Sequence, residues 1–461
     1  MKKRFLLSLL CVVFLLIGTS CVNTNNNNSN DENDTNIDVT DDKFLKMEAK
    51  DRIDLSYKDK IEEGYVNFLA KIQNFSTQIS EELYLAYGNE YDNIAVSPVS
   101  IYMALALAIE CANDNTRDEI LNAIGVTYEE VRKYTKNLFS ELNKEYYDDQ
   151  EELAALRLLT NSIWFDESVT LQEVGLNNLA NDYNCSSYGA PFKNNNAAAN
   201  KALRDYVCKN TKGLIDQDFE LSVDTLMALV NTLYLKDIWN NDGDELLLTD
   251  KKYSFTNYKQ ETKDINLLQG YYKSGKVKVE DQYSHFFTTT AKGLKIKFML
   301  PHDGYTVDDI YTKENLAHVN RFSDYEWKNE DTKTIYSTRI LFPEFKAEFD
   351  EDIKEVIKDK FNVRDLFDSS RCDFSNIIDL EKNGEEGIYC SNIIHKTKLI
   401  VDKTGIEGAA VTIIVMVPES ADPSFQYTHE YYDFVIDRDF AYLVTDNSGT
   451  ILFSGVVKNV E

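Results

Sequence analysis

The chain has 461 residues, of which 43% are apolar, and it contains 28 Tyr and 24 Phe. This content is enough for a large core and excludes wholesale disorder. The formal net charge is −29 with no basic cluster to offset it, so the surface repels anionic partners and nucleic-acid binding is disfavoured.

The N-terminus has the pattern of a targeting segment. Positively charged residues 2–4 precede an apolar run over 5–17, which is too short for a spanning helix. We expect a signal peptide over residues 1–20, followed by a lipid-bearing Cys21 like that of a bacterial lipoprotein, although Gly18 stands where leucine is usual. The alternative is a plain secretory signal with an incidental cysteine. Either way we expect an extracytoplasmic protein, a cell-surface lipoprotein or a secreted chain.

A polar segment follows the signal. Residues 22–42 are rich in Asn and Asp and almost free of apolar side chains, which predicts a disordered, solvated tether. We therefore expect residues 21–49 to form the lipidated cysteine and its tether. No second Pro-, Gly- and Ser-rich linker occurs, so residues 50–461 are expected to form one large domain.

The predicted elements are helices first and strands later. An amphipathic helix runs from Tyr65 to Leu83, and a buried helix follows with Ser97 as its cap and Pro98 in its first turn. Two more helices are expected, one after a capping Asn or Thr in residues 115–125 and one after a surface loop at 193–200. Apolar, β-branched or aromatic runs predict strands over 225–239, 293–301, 338–345 and 450–460. This order indicates an α+β fold with large sheets.

The sequence lacks the common catalytic motifs. It has no G-x-S-x-G, H-E-x-x-H, Walker or G-x-G-x-x-G pattern, so an enzyme is poorly supported, and we expect no catalytic residue, metal or cofactor. No two histidines stand at ligand spacing, although convergence in space stays open; they are His285, His302, His318, His395 and His429. Five cysteines show no disulfide or zinc pattern and are interpreted as small buried hydrophobes: Cys111, Cys185, Cys208, Cys372 and Cys390.

One segment, Asp402–Ser420, fits neither an ordinary loop nor an ordinary strand. It begins with a glycine and tiny side chains, continues through the strand-forming run Val411–Val417, and stops at Pro418. The segment is too apolar for an exposed loop. It also has too many small residues at its start for a central strand.

Eight blocks in order, over about 400 residues, resemble the serpin family. The blocks are NIAVSPVSIYMALALAI, NTRDEI, LTNSIW, LRDYVCKNTKGLI, LVNTLYLKDIW, FPEFK with DFSNI, IIHKTKLIVDKTGIEGAA and FAYLVTDNSGTILFSGVVKN. The resemblance implies an α+β serpin fold, in which helices pack around three β-sheets and a reactive-centre loop is exposed. Residues 402–420 then correspond to the hinge and that loop.

The resemblance also implies a function. In the family the loop is bait for a protease, and after cleavage its N-terminal part enters the central sheet as a new strand. We therefore expect a monomeric, surface-tethered suicide inhibitor that traps a serine endopeptidase as a covalent acyl-enzyme, with papain-like cysteine endopeptidases as a further target class. The residues suit insertion, because Ile406, Gly408, Ala410, Thr412, Ile414 and Met416 would share one face of a strand.

The usual loop length, counted from the hinge glycine Gly405, puts the reactive bond between Glu419 and Ser420. Glu419 would select a protease with a basic specificity pocket, because an unpaired buried carboxylate is costly. A different register would give Met416, Val417 or a later residue as the bait. That alternative stays open because the segment from Ser420 to Phe440 is longer than the family norm.

Three further groups follow from the resemblance, namely a hinge that enters the sheet, a shutter whose hydrogen bonds exchange as strands part, and a breach where insertion begins. The hinge is Gly405, Ile406, Glu407, Gly408, Ala409 and Ala410; the shutter is Ser97, Ser100, Asn231 and His395; the breach is Lys236, Trp239 and Lys403.

Three hinge-region residues depart from the family pattern. Lys403 replaces the usual Glu, Ile406 a Thr or Ser, and Gly408 an Ala. These departures favour the alternative function, a non-inhibitory serpin that is cleaved without trapping and acts as a binding or structural protein. None is a proline or a buried charge on the inserting face, so inhibition stays the leading hypothesis. A third class, a hydrolytic enzyme or a transporter component, would need a catalytic constellation that the sequence lacks.

Overall fold

The computed structural model describes residues 43–51, 53–147, 153–240, 246–270, 273–383, 388–407 and 427–460. All of them belong to one compact unit, Val39–Glu461. Its helices are α1 (Tyr57–Lys60), α2 (Glu63–Tyr87), α3 (Pro98–Cys111), α4 (Asp114–Ile124), α5 (Tyr128–Glu141), α6 (Glu173–Asp182), α7 (Asn196–Asn210), α8 (Val307–Ile310), α9 (Lys313–Asn320), α10 (Lys354–Lys360) and α11 (Leu380–Asn383), with a 3-10 turn at Asp365–Phe367.

The strands fall mostly in the second half of the chain. They are β1 (Leu45–Met47), β2 (Asn93–Val96), β3 (Lys144–Tyr147), β4 (Leu153–Asp166), β5 (Cys185–Ala190), β6 (Met227–Ile238), β7 (Leu247–Leu248), β8 (Tyr253–Thr256), β9 (Thr262–Ile265), β10 (Leu268–Gln269), β11 (Lys273–Ser274), β12 (Lys278–Val279), β13 (Tyr283–Thr289), β14 (Lys295–Pro301), β15 (Lys328–Asn329), β16 (Thr334–Phe342), β17 (Phe345–Asp352), β18 (Ile394–Val401), β19 (Gly405–Ile406), β20 (Thr428–Val435), β21 (Phe440–Thr445) and β22 (Ile451–Val457).

The strands described form three sheets. The largest has 14 strands in the order β1-β5-β4-β6-β19-β18-β17-β2-β22-β21-β14-β13-β12, with β3 on β4. Its two halves meet at a single parallel pair between β17 and β2, Glu348 with Ile94. A six-stranded sheet is built on β16, and β8 pairs with β9 alone. Helices pack around these sheets, which confirms the predicted α+β fold class.

Helix α2 follows the predicted periodicity. Phe68, Ile72, Ile79 and Leu83 are all buried on one face of this helix, because residues three and four apart share a helical stripe. Helix α3 packs beside α2 and is buried almost all round, as its Ala- and Leu-rich sequence predicts. Buried residues of both helices belong to the main core cluster.

The predicted helix caps need correction. Ser97 precedes α3 as expected, but its hydroxyl donates to Ser100 Oγ at 2.9 Å and makes no capping bond to the backbone. Helix α4 begins at Asp114, so its cap position is Asn113 and not the Asn or Thr of residues 115 and 116. In both cases the backbone conformation sets the cap, while the side chain bonds elsewhere.

The predicted strands are found, with one correction. β6, β14 and β22 lie within the predicted runs. The run 338–345, however, is divided, since β16 ends at Phe342 and β17 begins at Phe345. Pro343 has no N–H to give to a ladder, so the chain leaves one sheet there and enters another.

The folded part begins earlier than residue 50. β1, which lies inside the predicted 21–49 tether, pairs with β5 through Leu45 and Met47. Phe44 is buried in a smaller core cluster that also contains Trp164 and Tyr188, whose rings stack at 4.4 Å. The last residues of the predicted tether are therefore part of the sheet.

The cysteines are mostly as interpreted. Cys111, Cys185 and Cys390 are buried free thiols, and Cys372 is a half-buried one. Cys208 is disulfide-bonded, which corrects the interpretation for that residue. Within the described ranges, no helix is both long and apolar enough to cross a membrane.

Candidate functional site: the hinge between two strands

The predicted hinge starts in a tight turn after β18. The N–H of Asp402 donates to the carbonyl of Gly405 at 3.0 Å, which closes the turn. The Asp402 carboxylate accepts from the N–H and hydroxyl of Thr404 at 2.8 and 2.5 Å and from the N–H of Gly405 at 3.2 Å. Asp readily forms such side-chain-to-backbone turns, so the sequence Asp-Lys-Thr-Gly reverses the chain within four residues.

After this turn the hinge lies between two long strands. Ile406 pairs with Val401 of β18 on one side and with Asp237 of β6 on the other, and Gly405 pairs with Ile238. Two strands that flank a third lie roughly 9.5 Å apart, twice the usual strand spacing. Among the described residues no ladder joins β6 directly to β18. Gly405 and Ile406 are thus the first two residues of a strand position between them.

The two hinge residues are closely fitted. A Cβ on Gly405 would lie 2.0 Å from the Asp237 carbonyl oxygen, which is backbone and cannot turn away. Ile406 is fully buried and belongs to the main core cluster. Only glycine can occupy the first position, and an apolar side chain suits the second.

Two of the predicted breach residues hold the turn. The fully buried Trp239 donates its indole N–H to the Asp402 carbonyl at 2.7 Å, and its ring meets that of Phe342 edge-on at 5.5 Å. Lys403 donates its backbone N–H to the Glu344 carboxylate at 2.9 Å, and its carbonyl accepts from the N–H of Leu246 at 2.9 Å. The predicted breach and the hinge therefore meet at this turn.

Glu407 is the last described hinge residue, and it is held in a strained, half-buried position. Its backbone φ angle is +43°, a value that residues other than glycine rarely adopt. Its N–H donates to the Ile400 carbonyl at 2.8 Å, while its carboxylate accepts from the Tyr234 hydroxyl and lies near Lys236, the third breach residue. One carboxylate oxygen is buried without a hydrogen bond to any described residue, and burial raises the pKa of Glu407 to about 7.

This pKa predicts how stability depends on pH. Because an unfolded Glu has a pKa near ~4.3, the folded state keeps a proton that the unfolded chain has released. The stability that this proton contributes is present below about pH 4.3 and is lost as the pH rises through about 7. Relative to Glu407→Gln, the wild type should lose stability across this window, measured as the difference in urea midpoint. A difference that does not change with pH would contradict this.

Three predicted shutter residues are joined by hydrogen bonds. The Ser97 N–H donates to His395 Nε2 at 3.1 Å, and the Ser97 hydroxyl donates to Ser100. The acceptor role of Nε2 means that His395 carries its proton on Nδ1. Burial lowers the pKa of His395 to about 3, so this histidine is neutral.

Asn231, the fourth shutter residue, is not joined to these three. Its amide donates to the carbonyl of Thr160 at 3.1 Å and to Asn161 Oδ1 at 2.8 Å, both on β4, and its own Oδ1 is buried without a partner among the described residues. Asn231 and Ile394, the residue before His395, line one cavity between β6, β18 and the chain near α7. His395 itself does not line this cavity, but the two parts of the shutter lie on the two strands that flank the strand position, Asn231 on β6 and His395 on β18.

Comparison with known proteins gives the family. The model of the family Serpin (serine protease inhibitor) matches residues 70–460, which is most of the chain. The chain belongs to the serpin family. Its sequence is 23% identical to an uncharacterized serpin-like protein of Methanosarcina acetivorans over 388 residues, which cover 82% of this chain and 84% of that one. It is also 23% identical to the leukocyte elastase inhibitor of Homo sapiens over 403 residues, covering 84% and 99%.

Solved structures have the same fold. The crystal structure of tengpin, a thermophilic serpin, in the native state matches with a TM-score of 0.68 at 19% identity, covering 91% of this chain and 98% of that one. The predicted family and fold are therefore confirmed.

Several predicted residues of this serpin lie outside the described ranges. They are the remaining hinge residues Gly408, Ala409 and Ala410, the reactive-bond candidates Met416, Val417, Glu419 and Ser420, and Cys21. The described chain resumes before β20, which runs parallel to β16 in the six-stranded sheet. The strands on either side of residues 408–426, β19 and β20, thus belong to two different sheets.

One residue of the serpin breach was missed by the sequence analysis. Asp237, which pairs with Ile406, is buried and accepts from the Thr290 hydroxyl at 2.5 Å and from the N–H of Lys292 at 3.3 Å. Burial raises its pKa to about 6. Its charge, within a run that is otherwise suited to a buried strand, is the sequence signal that could have identified Asp237 as a functional residue.

Proposed function

We propose that this serpin is a suicide inhibitor of serine endopeptidases, with papain-like cysteine endopeptidases as a further target class. A target protease would cut the reactive-centre loop, remain attached as an acyl-enzyme, and be carried along as the loop enters the large sheet. The observation that supports this most strongly is the placement of Gly405 and Ile406 between β6 and β18, paired with both.

The strand register extends this observation. Because β19 is antiparallel to both neighbours, each further loop residue would meet the preceding residue on β6 and on β18. Counting from Ile406, residues 407–416 would lie opposite 236–227 of β6, and β18 would be matched as far as Ile394. This is nearly the whole loop before the expected reactive bond, so a cleaved loop has the length to complete the strand.

The same count brings one loop residue to the shutter. Thr412 would lie level with Asn231 of β6 and His395 of β18, six residues from the pairs at Ile406. All three would point to one face, since side chains alternate along a strand. The Thr412 hydroxyl would then supply a donor for Asn231 Oδ1, which has none in the part of the chain that the structure describes.

The energy of insertion is of a suitable size. Burying a few Ile- and Met-sized side chains stabilises by roughly 1.5–3 kcal/mol each, and backbone hydrogen bonds add to this, for an order of ~10 kcal/mol. This energy would draw the attached protease across the molecule and distort its active site before the ester to the bait residue is hydrolysed. We propose Glu419 as that residue, with Met416, Val417 or a later residue as alternatives.

Trapping can be tested with the purified protein and a panel of serine proteases that includes a Glu-specific one. A band at the combined mass on a denaturing gel is expected, because an acyl-enzyme survives denaturant. The mass of the released C-terminal peptide then identifies the bait residue. Complete cleavage of the loop with full protease activity remaining would overturn the proposal.

That second outcome would favour the alternative, a non-inhibitory serpin that binds a partner or has a structural role. The environment of Glu407 supports this alternative, because burying a carboxylate with an unbonded oxygen disfavours insertion of the hinge into the sheet. The departures at Lys403 and Gly408 act in the same direction.

We further propose that Cys21 carries a lipid that anchors the protein to a membrane, which would place the inhibitor at the cell surface. The Cys21→Ser variant should then lose both incorporation of a labelled fatty acid and sedimentation with membranes, because neither the tether nor the acidic surface has affinity for a bilayer. Unchanged sedimentation of the variant would contradict the anchor. A Cys372→Ser variant is the matched control, since this cysteine lies in the folded domain.

A further inference from the structure

Three potential metal ligands outside the hinge, shutter and breach converge on one another. Glu280 lies in the turn between β12 and β13, His285 is in β13, and His318 is in α9. One ligand atom from each lies within 4.8 Å of the other two. Among the described residues this is the only such group of three or more His, Cys, Asp or Glu side chains.

The distances suit a small tetrahedral ion. Glu280 Oε1 is 3.1 Å from His318 Nε2 and 3.5 Å from His285 Nε2. With metal–ligand bonds of about 2.0–2.1 Å, ligand atoms of a tetrahedral Zn²⁺ site lie roughly 3.3–3.4 Å apart. Two edges of the ligand triangle therefore already have nearly the required length.

His285 is held as a metal-ligating histidine would be. It is fully buried, and its Nδ1 lies 2.8 Å from the Tyr325 hydroxyl, a contact of the kind that orients ligating imidazoles. Its buried Nε2 faces Glu280 Oε1 at 3.5 Å, longer than an ordinary hydrogen bond, and has no other partner among the described residues. An unbonded buried nitrogen aimed at a carboxylate and a second imidazole is a costly arrangement without a ligand.

We propose that Glu280, His285 and His318 bind a divalent transition-metal ion of the Zn²⁺ class. Two imidazole nitrogens and one carboxylate oxygen form a donor set that Zn²⁺ accepts, with the fourth position taken by water. The open side is the one where Glu280 and His318 are each about one-third exposed (34% of the side chain). A bound ion would tie α9 to the β12–β13 turn.

Two cationic side chains, those of Lys297 and Arg321, lie near the proposed site, and metal binding has to be compatible with both. Lys297 donates to the carbonyl of Asn320 at 2.6 Å, so its ammonium is directed to the end of α9. Arg321 donates to His318 Nδ1 at 3.2 Å, which puts the His318 proton on Nε2. On metal binding this proton moves to Nδ1, Nε2 becomes the ligand, and the exposed Arg321 side chain turns into solvent.

The test is titration of the purified, chelator-treated protein with ZnCl₂, by calorimetry and by measurement of bound metal. One ion per chain is expected to bind, and the melting temperature should rise with it. His318 and Glu280 are partly exposed, and the variants His318→Ala and Glu280→Gln should each weaken Zn²⁺ binding by at least about tenfold. They avoid the folding risk of replacing the buried His285.

Two matched controls keep the result interpretable. Arg321→Ala lies one turn from His318 and should bind at least as tightly as the wild type, because it removes the donor to His318 Nδ1. His302→Ala removes a histidine that contacts Ser284 outside the cluster and should bind normally. Absence of binding by the wild type, or equal binding by the wild type and His318→Ala, would overturn the proposal.

Discussion

Ile406→Arg is expected to abolish the proposed trapping and to leave this serpin as a substrate that is cleaved and released. The loop should still be cleaved, but the fraction of cleavage events that traps the protease should fall at least about tenfold. Ile406 is fully buried between β6 and β18, and an arginine there would place an unpaired charge in the core, at a cost of several kcal/mol. The hinge would stay outside the sheet, so later loop residues could not follow it.

The ratio of covalent complex to cleaved serpin on a denaturing gel measures this effect. Ile406→Val is the matched control, because it keeps a β-branched apolar side chain and loses one methylene group, and it should trap nearly as well as the wild type. Equal trapping by the arginine variant would mean that Ile406 does not need to be buried for inhibition.

Trp239→Ala is expected to lower the free energy of unfolding of the native state by about 3–5 kcal/mol. The indole is fully buried against Phe342 and donates its N–H to the carbonyl of Asp402, the first residue of the hinge turn. Its removal would leave a large cavity and a buried carbonyl without its donor. Both losses act at the point where the hinge enters the sheet.

Trp239→Phe separates the two contributions. Phenylalanine keeps one aromatic ring against Phe342 but loses the N–H and the volume of the second ring, so the expected loss is smaller than that of the alanine variant, about 1–3 kcal/mol. The urea midpoint followed by far-ultraviolet circular dichroism measures both variants without relying on tryptophan fluorescence. A fall of less than about 1 kcal/mol for the alanine variant would contradict the central role of this side chain in the breach.

Elements with a strong local signal could be predicted from the sequence. The periodicity from Tyr65 to Leu83 is strong enough to identify α2, and the β-branched runs identify β6 and β22. The boundaries of elements carry a weaker signal than their type, since Pro343 divides two strands of different sheets inside one apolar run. The apolar residues Phe44, Leu45 and Met47 could have indicated that the fold begins before residue 50.

The geometry of the hinge could not be predicted, because it depends on pairing between distant strands. Asn231 and His395 lie at the same height along their two strands, and this follows only from the pairing of Ile406 with both Asp237 and Val401. The resemblance to serpins named these shutter residues but did not show that Asn231 bonds to β4. The Glu280–His285–His318 cluster was missed for the same reason, since β13 and α9 are brought together by the fold and not by spacing in the sequence.

The central claim is that the cleaved loop becomes a strand between β6 and β18. Hydrogen exchange of the intact and the loop-cleaved protein, followed by mass spectrometry, tests it most directly. Peptides from Met227–Ile238 and Ile394–Val401 should exchange more slowly after cleavage, because both strands gain a hydrogen-bonded neighbour. Peptides from β14, which pairs with β13 and β21 and not with β6 or β18, should not change. Unchanged exchange in both β6 and β18 after complete cleavage would contradict the account.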